Sequence, residues 1–349
     1  MIFAGRTAAL LRLRHFLIAG SVIAFATVPA RAQRVADAPD PNLPVLTVLL
    51  AQPEKSIDLA RAKLTVDRMI DASVDIEANL RALDALAREI EPFIRFKSKN
   101  VEKTAVLQDF LYKPGPWNAN KVFEYDLDDP FGKNIRNKLL PTYLSTRRGN
   151  CVSMPMLMVI LGQKLGVDVR LATAPLHVFV KYRDDSDGKY HSFEATSGGP
   201  TKDSDLQRSH PMTDKAIANG VYLRPLSKKE AVLVMIGTLI EHYGALGLHE
   251  QRMKLAELIL AHDPKSVTAM IAIGHAYYGM SKRDFIDRYP SPAQIPIAER
   301  PRYQELKRNN NLWYERAEAL GWTQPDAATE TQYQKVINQA KSRKKGDPQ

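Results

Sequence analysis

The chain has 349 residues, a formal net charge of +10, 44% apolar residues and a single cysteine. That length accommodates one large domain plus a smaller one, and the apolar fraction is that of a globular protein. The positive excess falls to +6 once the four arginines of residues 1–32 are set aside, and no basic stripe interleaved with aromatics remains, which speaks against a nucleic-acid partner.

Arg6, Arg12 and Arg14 precede an apolar stretch of thirteen residues, 16–28, and Ala30-Arg31-Ala32 follows it. A basic front, a short apolar middle and small residues at the end are the layout of a secretory signal. The stretch is shorter than the roughly 20 residues a spanning helix needs. The expectation is a periplasmic or secreted protein cleaved after Ala32, with no stable membrane span afterwards. An exported chain with one cysteine forms no internal disulfide. Its thiol is either buried and inert or kept for reactivity.

Residues 33–60 contain Pro39, Pro41, Pro44 and Pro53 and read as an extended linker. Between 61 and 91, Leu64, Met69, Ile70, Val74, Ile76, Leu80, Leu83, Leu86 and Ile90 recur at helical spacing. They predict two amphipathic helices or one long one, ended by Pro92. A helix over 101–112 is stopped by Lys113-Pro114-Gly115-Pro116. A loop follows over 118–134, then a short helix around 135–145.

Arg147-Arg148-Gly149-Asn150-Cys151-Val152-Ser153-Met154-Pro155 comes next, ahead of an apolar run over 156–165 closed by Gly166. Proline is tolerated in a first helical turn and glycine suits a C-cap, so Cys151 is expected at the start of a buried helix. Residues 167–172, 177–182 and 189–194 read as strands, the last two joined by an Asp- and Gly-rich turn. The last third predicts helices over 228–242, 250–262, 265–280 and 312–321, with a Pro-rich insertion over 290–301. Leu255, Leu258 and Ile259 form one apolar stripe expected to be buried. The chain from 326 to 349 reads as a final helix and a disordered basic tail, with Lys341, Arg343, Lys344 and Lys345.

A thiol at a helix N-terminus becomes a nucleophile when a base lies beside it and a third group orients that base. The predicted hairpin offers both. If Tyr182 faces Lys189, the residue facing His177 is Glu194, on the same sheet face. Asn150 and the backbone N–H of Cys151 are candidate oxyanion donors. His242 and His249 are separated by a turn, and no motif with metal-ligand or phosphate-cradling spacing occurs. No metal and no cofactor is therefore called for.

Arg-Arg-Gly-Asn-Cys at a helix start, Leu-His-Val-Phe-Val-Lys on one strand and Phe-Glu-Ala-Thr-Ser-Gly-Gly on the next resemble the transglutaminase-like superfamily. The likeness is nearest to its SirB-type branch, and it takes in the Asp128-Asp129-Pro130 loop. That resemblance implies an α+β fold: a papain-like core over 61–225, in which a Cys-bearing helix packs on a small antiparallel sheet, then a tetratricopeptide-like helical region over 226–325. It implies Cys151 as nucleophile, His177 as base and Glu194, where core transglutaminases usually carry Asp, as orienting acid. The expected activity is cysteine-dependent hydrolysis or acyl transfer at an amide bond of a peptide or protein. The alternative is a scaffold without catalysis that binds a protein partner through its helices.

Overall fold

The computed structural model describes residues 40–324, so the expected signal segment, and the tail from 326 onward, lie outside the described residues. Helix α1 (Asn42–Ala51) occupies part of the segment read as an extended linker. Its Pro44 falls in the first turn, where a missing N–H loses no helical bond. Leu46 and Leu50 are fully buried, which supplies the stabilisation the proline count hid. Asn42 donates to Tyr243 Oη at 2.8 Å, and that hydroxyl donates to Asp40 Oδ1 at 2.9 Å, fastening the segment down.

The periodic segment divides into α2 (Leu59–Ile70) and α3 (Ile76–Ile94). Asp58 caps the first through the amides of Ala60 and Arg61, and Asp75 caps the second through Ala78. Pro92 does not end α3. It removes one bond near the C-terminus, while buried Ile94 holds the last turn against the core. Helix α4 (Asn100–Tyr112) follows as expected.

Two short strands, β1 (Glu124–Tyr125) and β2 (Arg148–Gly149), pair in parallel around helix α5 (Leu140–Thr146). The chain then enters α6 (Ser153–Leu165), which is buried continuously from Ser153 to Gly162. A helix apolar on all sides belongs inside a core. Gly162 is required there, since a Cβ would lie 2.2 Å from a Val169 methyl carbon. Gly166, at φ +65°, closes the helix.

Strands β3 (Val169–Ala174), β4 (His177–Arg183), β5 (Tyr190–Glu194) and β6 (Gly199–Thr201) form one antiparallel sheet in chain order. Leu171, Val180 and Phe193 face the main core, which includes α6. Ala172, Ala174 and Phe179 face a second, smaller core. That core is closed by Leu206 of α7 (Asp203–Ser209) and Ala216 of α8 (Asp214–Ala218).

Helix α9 (Lys228–Ala245) begins with a capping box of Ser227 and Glu230 and packs on α2. Helices α10 (His249–His262), α11 (Val267–Ser281) and α12 (Arg300–Ala319) then pack each on the one before. Leu255 and Ile259 are buried, whereas Leu258, expected in the same stripe, is only half-buried at its edge. Among the described residues no helix is long and apolar enough to cross a membrane, and no cluster of three His, Cys, Asp or Glu residues could hold a metal ion.

Candidate active site

The loop before α6 is built backwards from Asp129. Its carboxylate accepts the amides of Lys133 and Asn134 and the side-chain amide of Asn137. The Asn137 carbonyl in turn accepts from Asn150 Nδ2 at 3.2 Å and from Ser153 Oγ at 3.3 Å. Asn150 Oδ1 accepts the amides of Val152 and Ser153, so this side chain caps α6. The Asn150 carboxamide is therefore committed to holding the loop, and its buried position withdraws it from the oxyanion role expected of it. Arg148 braces the other side through Asp126 at 2.9 Å and Asp128 at 2.7 Å.

Beneath this loop lies an ion pair the apolar pattern did not reveal. Lys63 and Asp67 are both completely buried in α2 and bonded to each other. Lys63 Nζ also donates to the Lys138 carbonyl at 3.1 Å, and Asp67 Oδ2 accepts the Leu140 amide at 2.8 Å. The pair thus fixes the chain on either side of Leu139 and, with it, the entry to α5. Sequence periodicity sees two charges in an amphipathic helix and places them on the wet face.

Cys151, half-buried, sits two residues before α6, at the positive end of the helix dipole. Its thiol is near enough to His177 to help raise the imidazole's pKa. His177 is the first residue of β4, and its Nε2–H donates to Glu194 Oε2 at 2.6 Å. Glu194 Oε1 accepts both the amide and the hydroxyl of Thr196, at 3.0 and 2.7 Å. All three expected residues meet, with His177 between the other two.

The register that brings them together differs from the expected one. Val180 faces Phe193 and Arg183 faces Tyr190, a shift of two residues from the Tyr182–Lys189 pairing. Asp184 and Lys189, joined by a backbone bond, close a turn centred one residue further along the chain than expected. Side chains alternate with period two, so a two-residue shift keeps every residue on its face. His177 and Glu194 become diagonal instead of direct neighbours, a separation that two longer side chains can bridge.

Burial by itself would lower the His177 pKa. The hydrogen bonds to Cys151 and Glu194 and the carboxylate charge outweigh it, raising the imidazole to about 10. Burial likewise pushes Glu194 up, but the bond to His177 and its charge prevail, leaving the carboxylate below its ordinary value. The pair is an imidazolium carboxylate near neutral pH.

His210, which no sequence signal marked, stacks on His177 with ring centroids 4.3 Å apart and planes 8° from parallel. It follows the last residue of α7, and α7 is pinned to the sheet where buried Lys181 meets Asp203 at 2.8 Å. Burial, and then the charge of His177, lowers His210 to about 4, so it is a neutral plate against a charged ring. The carbonyl of Pro175, in the turn that delivers His177, opposes this lowering.

Residues 77–237 match the model of the transglutaminase-like superfamily. This segment resembles a transglutaminase-like domain. A UPF0162 protein from Xylella fastidiosa is 22% identical over 274 residues, covering 73% of this chain and 92% of that protein. Among solved structures, a crystal structure of menin that reveals its binding site for the Mixed Lineage Leukemia protein aligns at a TM-score of 0.44 and 18% identity. The alignment covers 79% of this chain and 61% of menin's, less than two thirds of its length. The matched segment thus contains Cys151, His177, Glu194 and His210 together, and ends inside α9.

Proposed function

We propose that this is an exported cysteine-dependent acyltransferase or amide hydrolase of the SirB-type branch, with Cys151 as nucleophile, His177 as base and Glu194 as orienting acid. The observation that carries the reading is His177 bonded through Nε2 to the part-buried Glu194 carboxylate, with the Cys151 thiol near enough to help raise the imidazole's pKa. Glu194 occupies Nε2, so the opposite ring nitrogen is left for the sulfur. A helix N-terminus and an adjacent imidazolium both favour the thiolate form of a cysteine.

In this reading the thiolate attacks the carbonyl carbon of an amide, and the Cys151 backbone N–H at the head of α6 stabilises the oxygen that becomes negative. The imidazolium gives its proton to the departing amine as the C–N bond breaks, which leaves an acyl thioester on Cys151. Neutral His177 then takes a proton from water or from a second amine as that nucleophile attacks the thioester. The thiolate leaves and the imidazolium is restored. Glu194 stays ionised throughout and holds the ring. No cofactor enters the cycle. Residues 226–325, read as a tetratricopeptide-like unit, would hold a peptide or protein beside this centre; their successive packed helices support that assignment.

An activated acyl ester tests the reading. Incubation of the folded protein with p-nitrophenyl acetate followed by intact-mass measurement is expected to reveal one added acetyl group, on Cys151, and none in Cys151→Ala. A wild-type protein that never acylates, although it is folded, is a partner-binding scaffold instead.

A further inference from the structure

The bond from Nε2 to Glu194 holds the His177 ring at one atom. The last torsion of a histidine side chain is broad, so one bond leaves the ring able to tilt. A tilt swings the other ring nitrogen off its line, and a flat group against the ring face prevents it. Two rings lie within 8° of parallel to His177. Phe179 is two residues along the same strand, with centroids 6.4 Å apart, too far for face-to-face contact. His210 lies at 4.3 Å and comes from a different element, just past α7. Helix α7 is fixed by contacts of its own. Buried Lys181 reaches both carboxylate oxygens of Asp203, at 2.8 and 2.9 Å, and Leu206 is buried in the smaller core. The His210 amide then donates to the Leu206 carbonyl at 2.8 Å, so the second ring stands on a firm mount.

We propose that His210 is a positioning residue of this centre: lying flat on His177, it fixes the tilt of the base, a role that rests on Cys151 being the nucleophile. The step most sensitive to that tilt is the second one, in which neutral His177 takes a proton from the group attacking the acyl thioester. Proton transfer requires the base within hydrogen-bond reach and on line, and a misplacement of an ångström costs up to about a hundredfold. A loosened ring therefore registers in rate before it registers in stability. The charges that act on His177 come from Glu194 on β5 and Cys151 ahead of α6. His210, neutral at pH 7, adds a ring face and no charge of its own.

Three variants of the full protein separate a flat face from mere filling: His210→Phe keeps a ring, His210→Leu fills the space without one, and His210→Ala empties it. Each is treated with p-nitrophenyl acetate, and intact mass follows both the gain of an acetyl group and its later loss to water or added glycinamide. All three are expected to acetylate on Cys151, since the thiol and its partners remain. Loss of the acetyl group is expected to be about tenfold slower in His210→Ala and His210→Leu, and within about twofold of wild type in His210→Phe. Melting temperatures taken alongside identify a packing role, which would lower stability in His210→Ala and leave the rate of loss unaltered. Equal rates of loss in all four proteins, or a His210→Phe as slow as His210→Leu, overturn the assignment of His210 while leaving Cys151 as nucleophile. If His210→Ala does not fold, the leucine and phenylalanine variants still decide. A folded wild type that takes up no acetyl group removes the nucleophile reading and this one with it.

Discussion

At the scale of single residues, the account turns on a histidine held in its charged form by two neighbours. The folded-state value of His177 lies above its ordinary 6.5, so its contribution to stability is complete below that pH and is lost as the pH rises through about 10. Glu194 is shifted the opposite way, so its contribution is present above its ordinary 4.5 and fades as the pH falls through its lowered value. Melting temperature against pH in wild type and Glu194→Gln isolates the pair. The variant is expected to be destabilised near pH 7 and to show a smaller further loss towards pH 10, because its imidazole has already lost the carboxylate. Parallel curves with equal melting temperatures would mean that the 2.6 Å contact contributes nothing. Cys151, His177 and Glu194 were legible in the sequence because each sits in a recognisable local setting: a Gly-Asn turn before an apolar run, and two alternating strands around a turn. His210 was not. It lies outside any strand or periodic pattern, and the Lys181–Asp203 anchor and buried Leu206 of α7 bring it over the His177 ring.

At the scale of elements, the Cys loop owes its position to groups that look dispensable in the sequence. Lys63→Met would keep the volume and leave Asp67 buried without a counter-charge, a change expected to lower stability by about 3–5 kcal/mol. The double variant Lys63→Met, Asp67→Leu is expected to recover much of that, since removing both charges removes the unpaired one. Chemical denaturation of the three proteins checks it, and a single variant as stable as wild type would show that the pair is not dry. In the helical region Leu255 is the stripe's fully buried member, so Leu255→Asp is expected to cost several kcal/mol while Leu258→Asp costs less. Equal losses would place both at the same depth. Helix existence was legible from periodicity, as in α3 and α6. The linker reading failed over Asn42–Ala51 because proline counts say nothing about where in a helix a proline falls. The hairpin register was missed by two because the Asp- and Gly-rich turn is centred one residue further along the chain than expected, though parity kept the face correct.

At the scale of the whole molecule, a buried helix, a four-stranded sheet and a set of successive helices combine so that a thiol, an imidazole and a carboxylate from three separate stretches of chain meet. The proposed export adds a compartment that oxidises thiols, in which a single cysteine without a partner persists as the nucleophile of a site or as an inert filler. N-terminal sequencing of protein from the cell envelope is expected to begin at Gln33, and protein retaining Met1 in the cytoplasm would contradict export. The assembled site itself is tested most directly by alkylating Cys151 in the folded protein with a small haloacetamide across a range of pH, in wild type and in His177→Ala. The account predicts ready reaction at pH 6 in the wild type and a rate at least about tenfold lower at that pH in the variant, as loss of an imidazolium partner requires. Reaction only after denaturation, with His177→Ala altering the melting temperature but not the rate, would contradict it.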